Sequence, residues 1–512
     1  MQKSEMKNSV SIYAISAIMA YIILNQGGYF AGGIISTGLV VTLLLLGVKI
    51  RIKTTDILYL VFCVWYLFCS VRTGFDVRYI AKGLLPLLCM GFKLLLPEDR
   101  KKSEELVKNI IKIAFYITVI AIIVCIRISL KSMRLRRLTF PFSYANTSGI
   151  FFGVMFILSR YSGFEWARKR QYVFFLGLAL TQSVGAIGLT VLAELFLSEN
   201  RKKTIFLIAV LIIGAVLLRG RVYQSIGTFI ERFLQMNDGF LCTVDNPVFG
   251  IGAGRWELAK NLYQTGFYDA REIHSGIVQI GVDSGFLGLG LFISVLVFAF
   301  YNIRFHNKAY LAGIIMIIVH SCLDFSLTFT AICFILVILF ACGEVKETRE
   351  FEFKTWSRLI ALTIISLGFV VLSVGMYQIK KLDGIDYTKN FPRYVDYYEE
   401  RVLSQKSVKT TENYAKALYA TGEKEKCLEV LKNIDVLSSD MIILKKGCYG
   451  DWGEVIKDLK SQPYNSVLYK TVFYNSNDEA LQKLSKEMLD EAINSMSYLG
   501  KILFNFKGEK IL

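Results

Sequence analysis

The chain has 512 residues with 54% hydrophobic side chains, a mean hydropathy of +0.46 and a formal net charge of +17. This apolar balance indicates an integral membrane protein and excludes an ordinary soluble domain. The positive charge does not by itself indicate a nucleic-acid partner, because basic loops beside membrane spans give the same excess and no nucleic-acid motif accompanies it. We therefore expect a lipid bilayer, and no nucleic acid, around this protein.

Apolar segments recur from Val10 to Tyr377, each roughly as long as the ~20 residues that cross a bilayer as a helix. Backbone groups in lipid must bond internally, and the alternating pattern of a barrel is missing, so helices are expected. The first segment lacks a signal-peptide cleavage site and is interpreted as a retained span. The predicted fold class is all-α, a polytopic transmembrane helical bundle of about 12–13 spans with a C-terminal soluble helical-repeat domain. The first six spans are placed at 10–25, 29–48, 56–71, 79–96, 109–126 and 143–159.

Basic clusters set the expected orientation, because cytoplasmic loops carry the excess of lysine and arginine. The N-terminus and the loops at 49–53, 100–102 and 168–170 are therefore assigned to the cytoplasm. The apolar tract 171–197 is followed by another basic cluster at 201–203, so a chain with both flanks inside must enter and return within the tract. A turn at Gln182, Ser183, Val184 and Gly185 would allow this hairpin, and the alternative is one long tilted span.

With the hairpin, a span at 204–218 leads to an external loop at 219–272. Four further spans, which place the C-terminal part outside the cytoplasm, are expected at 276–302, 309–326, 329–343 and 357–377. One external loop departs from the charge rule because it contains Arg127, Lys131, Arg134, Arg136 and Arg137. This cluster either binds lipid headgroups, or reflects a local error in the topology, or forms an anion site on the outer face.

From Lys380 onward the composition is that of a soluble helical domain. The segment 411–434 predicts a helix, a turn at Thr421-Gly422 and a second helix, and weaker copies of the pattern surround Gly450 and Asn477. We expect degenerate tetratricopeptide-like repeats, whose stacked helix pairs would bind other cell-envelope assembly proteins; the alternative is an unrelated helical bundle. Cys427 and Cys448 could pair in an oxidising exterior.

Several chemistries lack their motifs in this chain. It has no Walker A loop, no HExxH set, no CxxC pair and no GxSxG elbow, which disfavours nucleotide hydrolysis, a metal site and a serine hydrolase. No cofactor and no metal are expected. A polar, arginine-bearing segment ends at His274, one of three histidines, beside Arg271. An ionisable side chain at a membrane–water edge near arginines suits chemistry on a membrane-borne anionic substrate.

Four segments, taken together, resemble the bacterial O-antigen ligase and O-antigen polymerase family of polytopic glycosyltransferases. In chain order they are FSYANTSGIFFGVMFILS (142–159), LTQSVGAIGLTVLAEL (180–195), Asn246-Pro247-x-x-Gly250-x-Gly252-x-Gly254 followed by His274-Ser275 and Gly285-x-x-Gly288, and His320-x-x-x-Asp324 with an apolar span ending at Gly343. Some family members carry a trailing helical-repeat domain. The implied organisation is N-terminal transmembrane helices at 1–140, a ligase-like membrane core at 141–345, a last span with its flanks at 346–379, and a tetratricopeptide-like domain at 380–512.

The resemblance implies a metal- and nucleotide-independent enzyme in the cytoplasmic membrane of a bacterium. It would polymerise or ligate polyprenyl-pyrophosphate-linked oligosaccharides, with a glycan or lipid acceptor, on the outer face. By this resemblance His274 is the general base that activates the acceptor hydroxyl, and Arg221 holds the donor pyrophosphate. The family's hairpin arginine is replaced here by Val184. Either the donor differs, or the protein is inactive, or the role passes to Arg137, Arg219 or Arg232.

Each of these residues also has a purely structural interpretation. His274 could anchor the membrane interface, and Arg219 and Arg221 could extend to lipid headgroups. Four residues are expected to shape the external loop, and the last two could also let backbone amides approach a phosphate: Pro247, Gly250, Gly252 and Gly254.

Two other function classes compete with the enzyme. A transporter or flippase of lipid-linked glycans should show repeated halves and ionisable residues at mid-membrane, and the chain shows no internal repeat. The two intramembrane candidates, His320 and Asp324, are spaced i, i+4 and are expected to form a structural pair. A scaffold that acts through its C-terminal domain alone would leave the external histidine without a role.

Overall fold

The computed structural model describes residues 2–48, 50–74, 76–198, 209, 219–345, 349–352, 355–384, 391–401, 408–432, 439–476, 478–508 and 511. The described chain is all-α apart from four very short strands, as the apolar segments predicted. The expected span at 204–218, except Ala209, the basic cluster at 201–203, and Asn477 lie outside the described residues.

The helices before residue 200 follow the predicted spans closely. They are α1 (Gln2–Leu24), α2 (Ala31–Leu46), α3 (Thr54–Arg72), α4 (Val77–Gly83), α5 (Leu85–Leu95), α6 (Arg100–Ser132), α7 (Ala145–Tyr161), α8 (Glu165–Arg170), α9 (Tyr172–Thr181) and α10 (Val184–Leu197). Two differences stand out. The span expected at 79–96 is divided at Leu84 into α4 and α5, and the span expected at 109–126 is only the middle of the 33-residue helix α6.

The expected external loop is itself largely helical, and further apolar helices follow it. The elements are α11 (Arg219–Asp245), α12 (Trp256–Tyr263), α13 (Gly276–Asn302), α14 (Lys308–Cys322), α15 (Thr330–Ala341) and α16 (Thr355–Asp383). Among the described residues, three helices are long and apolar enough to cross a membrane: Arg100–Ser132, Gly276–Asn302 and Thr355–Leu382. Seven shorter helical stretches of 10–17 residues are also apolar.

Helix α7 is the central helix of the bundle. Its residues are buried on every face from Thr147 to Ser159, which fits a sequence that is apolar all round rather than on one stripe. Small residues allow close packing, since a Cβ at Gly149 would meet the Ser183 and Ala186 side chains at 2.9 and 3.0 Å. The N-terminus of α7 is thereby fixed against the turn between α9 and α10.

The tract 171–197 is a hairpin of two helices, and the alternative of one long span is wrong. Gln182 adopts a left-handed conformation with φ of 52° and ends α9. Beyond the turn, α10 descends along α7, because Thr190 lies against Gly153 and Glu194 pairs with Arg160 at 2.9 Å. The polar turn Gln182-Ser183 therefore reverses the chain as its composition predicted.

Connections between the helices gather at two opposite ends of the bundle. At one, which we name the strand end, β1 (Arg51–Lys53) pairs antiparallel with β4 (Glu350–Glu352), and β2 (Ile303–Arg304) with β3 (Glu344–Val345). At the other, which we name the loop end, Thr330 donates to the Gly28 carbonyl at 2.9 Å and the Leu138 amide donates to the Leu180 carbonyl at 2.9 Å. Loops expected on one side of the membrane therefore contact one another.

A break in α13 accommodates the Asn-Pro-Gly motif of the preceding loop. Gly285 has φ of 72° and ψ of −178° inside the helix, a conformation open only to glycine. The carbonyls of Val282 and Asp283 turn away from the helix and accept the Ile251 and Gly252 amides at 2.8 and 3.0 Å. The loop is thus fixed to the helix by backbone hydrogen bonds.

The C-terminal part consists of helix–turn–helix pairs, as its repeats predicted. Its helices are α17 (Phe391–Arg401), α18 (Val408–Ala420), α19 (Lys424–Lys432), α20 (Ser439–Tyr449), α21 (Gly453–Ser461), α22 (Ser466–Asn475), α23 (Glu479–Ser495) and α24 (Tyr498–Lys507). Gly422 and Gly450 stand in the turns with φ of 89° and 84°. Cys427 and Cys448 are both free thiols, so the pairing considered from the sequence is not formed.

We predict that Gly285→Ala destabilises the protein by about 2 kcal/mol or more, because a Cβ there would lie 2.3 Å from the Val248 carbonyl oxygen and the conformation is strained for alanine. The matched control is Gly290→Ala in the same helix, where a Cβ meets no atom within 4 Å. Thermal unfolding in detergent measures both. Equal melting temperatures for the two variants would contradict the prediction.

Candidate active site

A buried carboxylate at the loop end joins three distant parts of the chain. Asp324 has no exposed surface, and its Oδ2 accepts hydrogen bonds from Asn146 at 2.9 Å and Tyr144 at 3.2 Å. The same oxygen lies 3.1 Å from a guanidinium nitrogen of Arg232, and we name these four residues the Asp324 cluster. A buried charge requires such partners, so the start of α7, the amphipathic helix α11 and the loop after α14 are fixed together.

The structural pair expected between His320 and Asp324 is not formed. Helix α14 ends at Cys322, so Asp324 lies beyond the helix and does not share a helical face with His320. His320 instead bonds to the Ser326 hydroxyl at 3.0 Å, and Asp324 is the partner of Arg232. An i, i+4 spacing places two residues on one face only within a continuous helix, and α14 ends two residues before Asp324.

His274 stands directly before α13, at the loop end. The helix begins with Ser275 as its N-cap, whose hydroxyl accepts the Val278 amide at 3.3 Å. The half-buried ring of His274 packs edge-on against Phe325 at 5.2 Å, and Tyr144 stacks on the same phenyl ring at 4.6 Å. His274 is therefore a neighbour of the Asp324 cluster.

One side chain holds His274 at two points. The side-chain oxygen Oε1 of Gln235 lies 2.8 Å from Nδ1 of the ring and 3.2 Å from the backbone nitrogen of His274. The backbone N–H can only donate, so this atom is the acceptor, and Nδ1 must carry the ring proton. The other ring nitrogen, Nε2, then carries the lone pair that a general base needs.

The surroundings of the ring favour its neutral form. Burial lowers the pKa of His274 from the ordinary value of 6.5, and the Asp324 carboxylate opposes this by raising it. The positive charge of Arg232 lowers the pKa further, whereas Glu231 and Glu272 raise it. Because the direction is downward, the imidazole is neutral at pH 7 and able to accept a proton.

The arginines named from the sequence differ in their placement. Arg137 donates from Nε to the Thr181 carbonyl at 2.9 Å and from Nη2 to Asn146 at 3.0 Å. Its guanidinium therefore lies at the turn of the α9–α10 hairpin and reaches the Asp324 cluster through Asn146. Val184, just past that turn, has 51% of its surface exposed. Arg137 therefore lies beside the turn that precedes Val184.

Arg232 is held more tightly than Arg137. Besides its pair with Asp324, it donates to the Leu323 carbonyl at 2.7 Å, and its side chain is only 15% exposed. Its Nε is buried without a hydrogen-bond partner among the described residues. The side chains of Arg219 and Arg221 lie outside the described part of the structure, although both residues belong to α11.

The Asn-Pro-Gly motif lies against the break in α13. Gly250, Gly252 and Gly254 all have positive φ, of 61°, 88° and 73°. The Pro247 carbonyl accepts the Phe286 amide at 2.7 Å, and the Gly252 amide is used by Asp283. The first of the two amides considered for phosphate binding is therefore already occupied by the protein.

A second polar cluster, which the sequence analysis missed, lies on the other side of the His274 loop. Buried Glu272 forms an ion pair with Lys82 and accepts a hydrogen bond from Tyr29 at 3.0 Å. Lys82 and Glu272 border a cavity of about 140 Å³ with mainly apolar walls. Nothing in the sequence spacing connects Lys82 or Gln235 to His274, because they come from separate segments of the chain, whereas Glu272 precedes His274 by two residues.

Comparison with known proteins assigns no family to this chain. A scan against models of protein families gives no match, and a search of curated protein sequences gives none either.

We predict that His274 makes folding stability depend on pH. Its pKa is lowered in the folded state, so its contribution is present above about pH 6.5 and is lost as the pH falls towards the folded-state pKa. His274→Asn keeps a donor for Gln235 but cannot titrate. The difference in unfolding free energy between parent and variant should change by up to about 1.4 kcal/mol per pH unit in this window. A difference that stays constant from pH 5 to 8 would contradict the prediction.

Proposed function

We propose that this protein is a polytopic membrane glycosyltransferase that polymerises or ligates polyprenyl-pyrophosphate-linked glycans on the outer face of a bacterial cytoplasmic membrane. The observation that carries the proposal is the neutral His274 ring, held by Gln235 beside a buried cluster that includes Arg137, Arg232 and Asp324. A base next to fixed cations suits the transfer of a group from an anionic carrier.

The arrangement of the loops supports a membrane-spanning bundle. Three helices are long and apolar enough to span a bilayer, and the shorter apolar helices pack among them. The strand end contains Arg51, Lys53 and Arg304, each opposite a glutamate on the paired strand, and lysine and arginine in the loops at one end support a cytoplasmic side for that end. His274 belongs to the opposite, loop end, which would then face outward together with α11 and the C-terminal helices that contact it.

In the proposed reaction, Nε2 of His274 takes the proton of an acceptor sugar hydroxyl. The acceptor oxygen attacks the anomeric carbon of the donor sugar and forms the new glycosidic bond. The bond between that carbon and the pyrophosphate oxygen breaks, and the polyprenyl pyrophosphate leaves with the electron pair. The proton on His274 is then released to solvent or to the leaving group. Forked hydrogen bonds from arginine would stabilise the growing charge on the pyrophosphate.

Arg137 is the best-placed substitute for the cation missing at Val184. It is anchored to the hairpin turn by the Thr181 carbonyl, and it donates to Asn146, which in turn donates to Asp324. Arg232 is committed to Asp324 and lies deeper, so we assign it to orienting that carboxylate and to lowering the pKa of His274. The contribution of Arg219 and Arg221 stays a prediction from the sequence.

The alternative function is a transporter or flippase of lipid-linked glycans. It is favoured by the buried Asp283 and the Lys82–Glu272 pair, which border the cavity inside the bundle, since ionisable groups within a membrane mark transport pathways. Reconstituted vesicles separate the two functions. An enzyme changes the covalent structure of the glycan, whereas a flippase moves an unaltered lipid-linked glycan between the leaflets.

We predict that α11 and the C-terminal domain face the outside. Cysteines introduced at the exposed positions Asn237 and Glu425 should react with a membrane-impermeant maleimide in intact cells. A cysteine at exposed Lys169, in a basic loop, should react only after the cells are opened. The reverse pattern would place His274 in the cytoplasm and remove the proposed mechanism.

We predict that His274→Ala lowers the rate of glycan transfer by about 10²–10⁴, because the general base is lost. Gln235 would retain its contact with the backbone amide of residue 274, so the loop should stay in place. Transfer is measured by the conversion of lipid-linked donor to product. A variant that is inserted and folded yet transfers at the parent rate would contradict the assignment.

We predict that Arg137→Gln weakens binding of the lipid-linked donor by about tenfold or more, since one charge-assisted bond to phosphate is worth about 1.5–3 kcal/mol. The matched control is Arg134→Gln, an exposed arginine of the same basic loop, which should bind the donor normally. Equal affinities of the two variants for the lipid-linked donor would indicate that the arginines of this loop act only through their overall charge. Arg137→Lys should also be impaired, because an ammonium cannot form the forked contact.

A further inference from the structure

The C-terminal domain contacts the residues that hold His274. The Lys507 ammonium, at the end of α24, lies 2.9 Å from Oε2 of Glu231 on α11, and both side chains are less than one-third exposed. The other carboxylate oxygen of Glu231 accepts a hydrogen bond from the amide nitrogen of Gln235 at 3.2 Å. Gln235 is fully buried and bonds to His274. Four side chains therefore form a continuous path from the C-terminal domain to the imidazole.

The order of donors and acceptors along this path has a chemical consequence. A carboxylate accepts and cannot donate, so Glu231 draws the NH₂ group of Gln235 towards itself. The amide oxygen of Gln235 must then face His274, where it accepts from Nδ1 and from the backbone nitrogen. The carboxylate at position 231 and the backbone N–H of residue 274 thus orient the Gln235 amide in the same sense, so that Nδ1 of His274 carries the proton and Nε2 is left as the base.

A second set of contacts holds the loop that carries His274 against α24. The Ser497 amide, at the N-cap of α24, donates to the Thr265 carbonyl at 3.0 Å, and the two hydroxyls are 3.1 Å apart. A Cβ on Gly500 would lie 2.7 Å from that carbonyl oxygen. On its other side, Thr265 is fixed by the buried carboxylate of Asp238 on α11 at 2.6 and 3.1 Å.

We propose that the C-terminal helical domain is part of the site, and that Lys507 and Glu231 are positioning residues which, through Gln235, set the protonated ring nitrogen of His274. The catalytic use of that tautomer rests on the proposed function, but the tautomer itself does not. The sequence predicts this domain as a separate binding module, but in this proposal it affects the protonation of a residue in the membrane core. Docking or release of the domain then changes whether Nε2 of His274 is available as a base.

The test uses the full-length protein, labelled with ¹⁵N in its histidine rings, in detergent micelles. The chain has three histidines, so His306→Gln and His320→Gln variants assign the remaining signals to His274. The ring ¹⁵N shifts report which nitrogen is protonated, and their titration reports the pKa. The other charged groups that face the ring, Asp324, Arg232 and Glu272, are unchanged in every variant compared.

We expect Nδ1 to be protonated in the parent. In Lys507→Gln, Glu231 loses its counter-charge, and the pKa of His274 should rise by on the order of half a pH unit. Lys501→Gln, an exposed lysine of the same helix, should leave the titration unchanged. Glu231→Gln removes the negative charge and should lower the pKa of His274, because Glu231 raises it in the parent.

The decisive variant is the exchange Glu231→Lys with Lys507→Glu. It restores an ion pair between positions 231 and 507, but a lysine at 231 only donates and therefore draws the Gln235 oxygen away from His274, against the backbone N–H of residue 274 that holds it in the parent. We expect the ring proton to move to Nε2 and glycan transfer to fall by about 10². A merely structural ion pair would leave both unchanged.

Two results would overturn the proposal. One is a double variant that keeps the parent tautomer and titration. The other is a Lys507→Gln variant, or a Glu231→Gln variant if the exchanged protein does not fold, with the His274 pKa of the parent. If the ring behaves as expected while the parent transfers no glycan, the positioning role stands and the proposed function fails.

Discussion

The loop end of this protein depends on the need to satisfy one buried negative charge. Asp324 has no contact with solvent, and an unpaired carboxylate in such a place would cost several kcal/mol. Its partners come from the start of α7 and from α11, so the charge can be buried only when these segments meet. The same meeting brings Arg137 and His274 to one place. The constraint that stabilises the loop end is therefore also the one that assembles the candidate active site.

A second constraint is the break in α13. Gly285 interrupts the helix, which frees two carbonyls for the amides of the Asn-Pro-Gly loop. That loop follows α11 directly, so the break fixes the C-terminal end of α11, and the Ser275 cap fixes the start of α13. His274 lies between these two anchors. Its position is thus set by the hydrogen bonds on both sides, and the side chain of Gln235 holds both its backbone nitrogen and its ring.

The C-terminal domain adds to this arrangement from outside the bundle. Its last helix touches α11 through Lys507 and the His274 loop through Ser497, so it braces the two elements whose relative placement matters most. Because these contacts are polar and partly exposed, each is individually weak.

The sequence by itself determined the elements: the all-α class, the apolar helices, the hairpin turn at Gln182-Ser183 and the helix pairs beyond Lys380. These follow from local properties, since apolar runs, polar turns and helical periodicity act within about 20 residues of chain. It also singled out His274, Arg137 and Arg232 as candidates. It could not show that Asp324 lies beyond the end of its helix and joins Arg232, nor that Gln235, Glu231 and Lys507 lead to His274. Those links connect segments up to 276 residues apart, from Glu231 to Lys507, and only the packing of the helices brings them within hydrogen-bond distance.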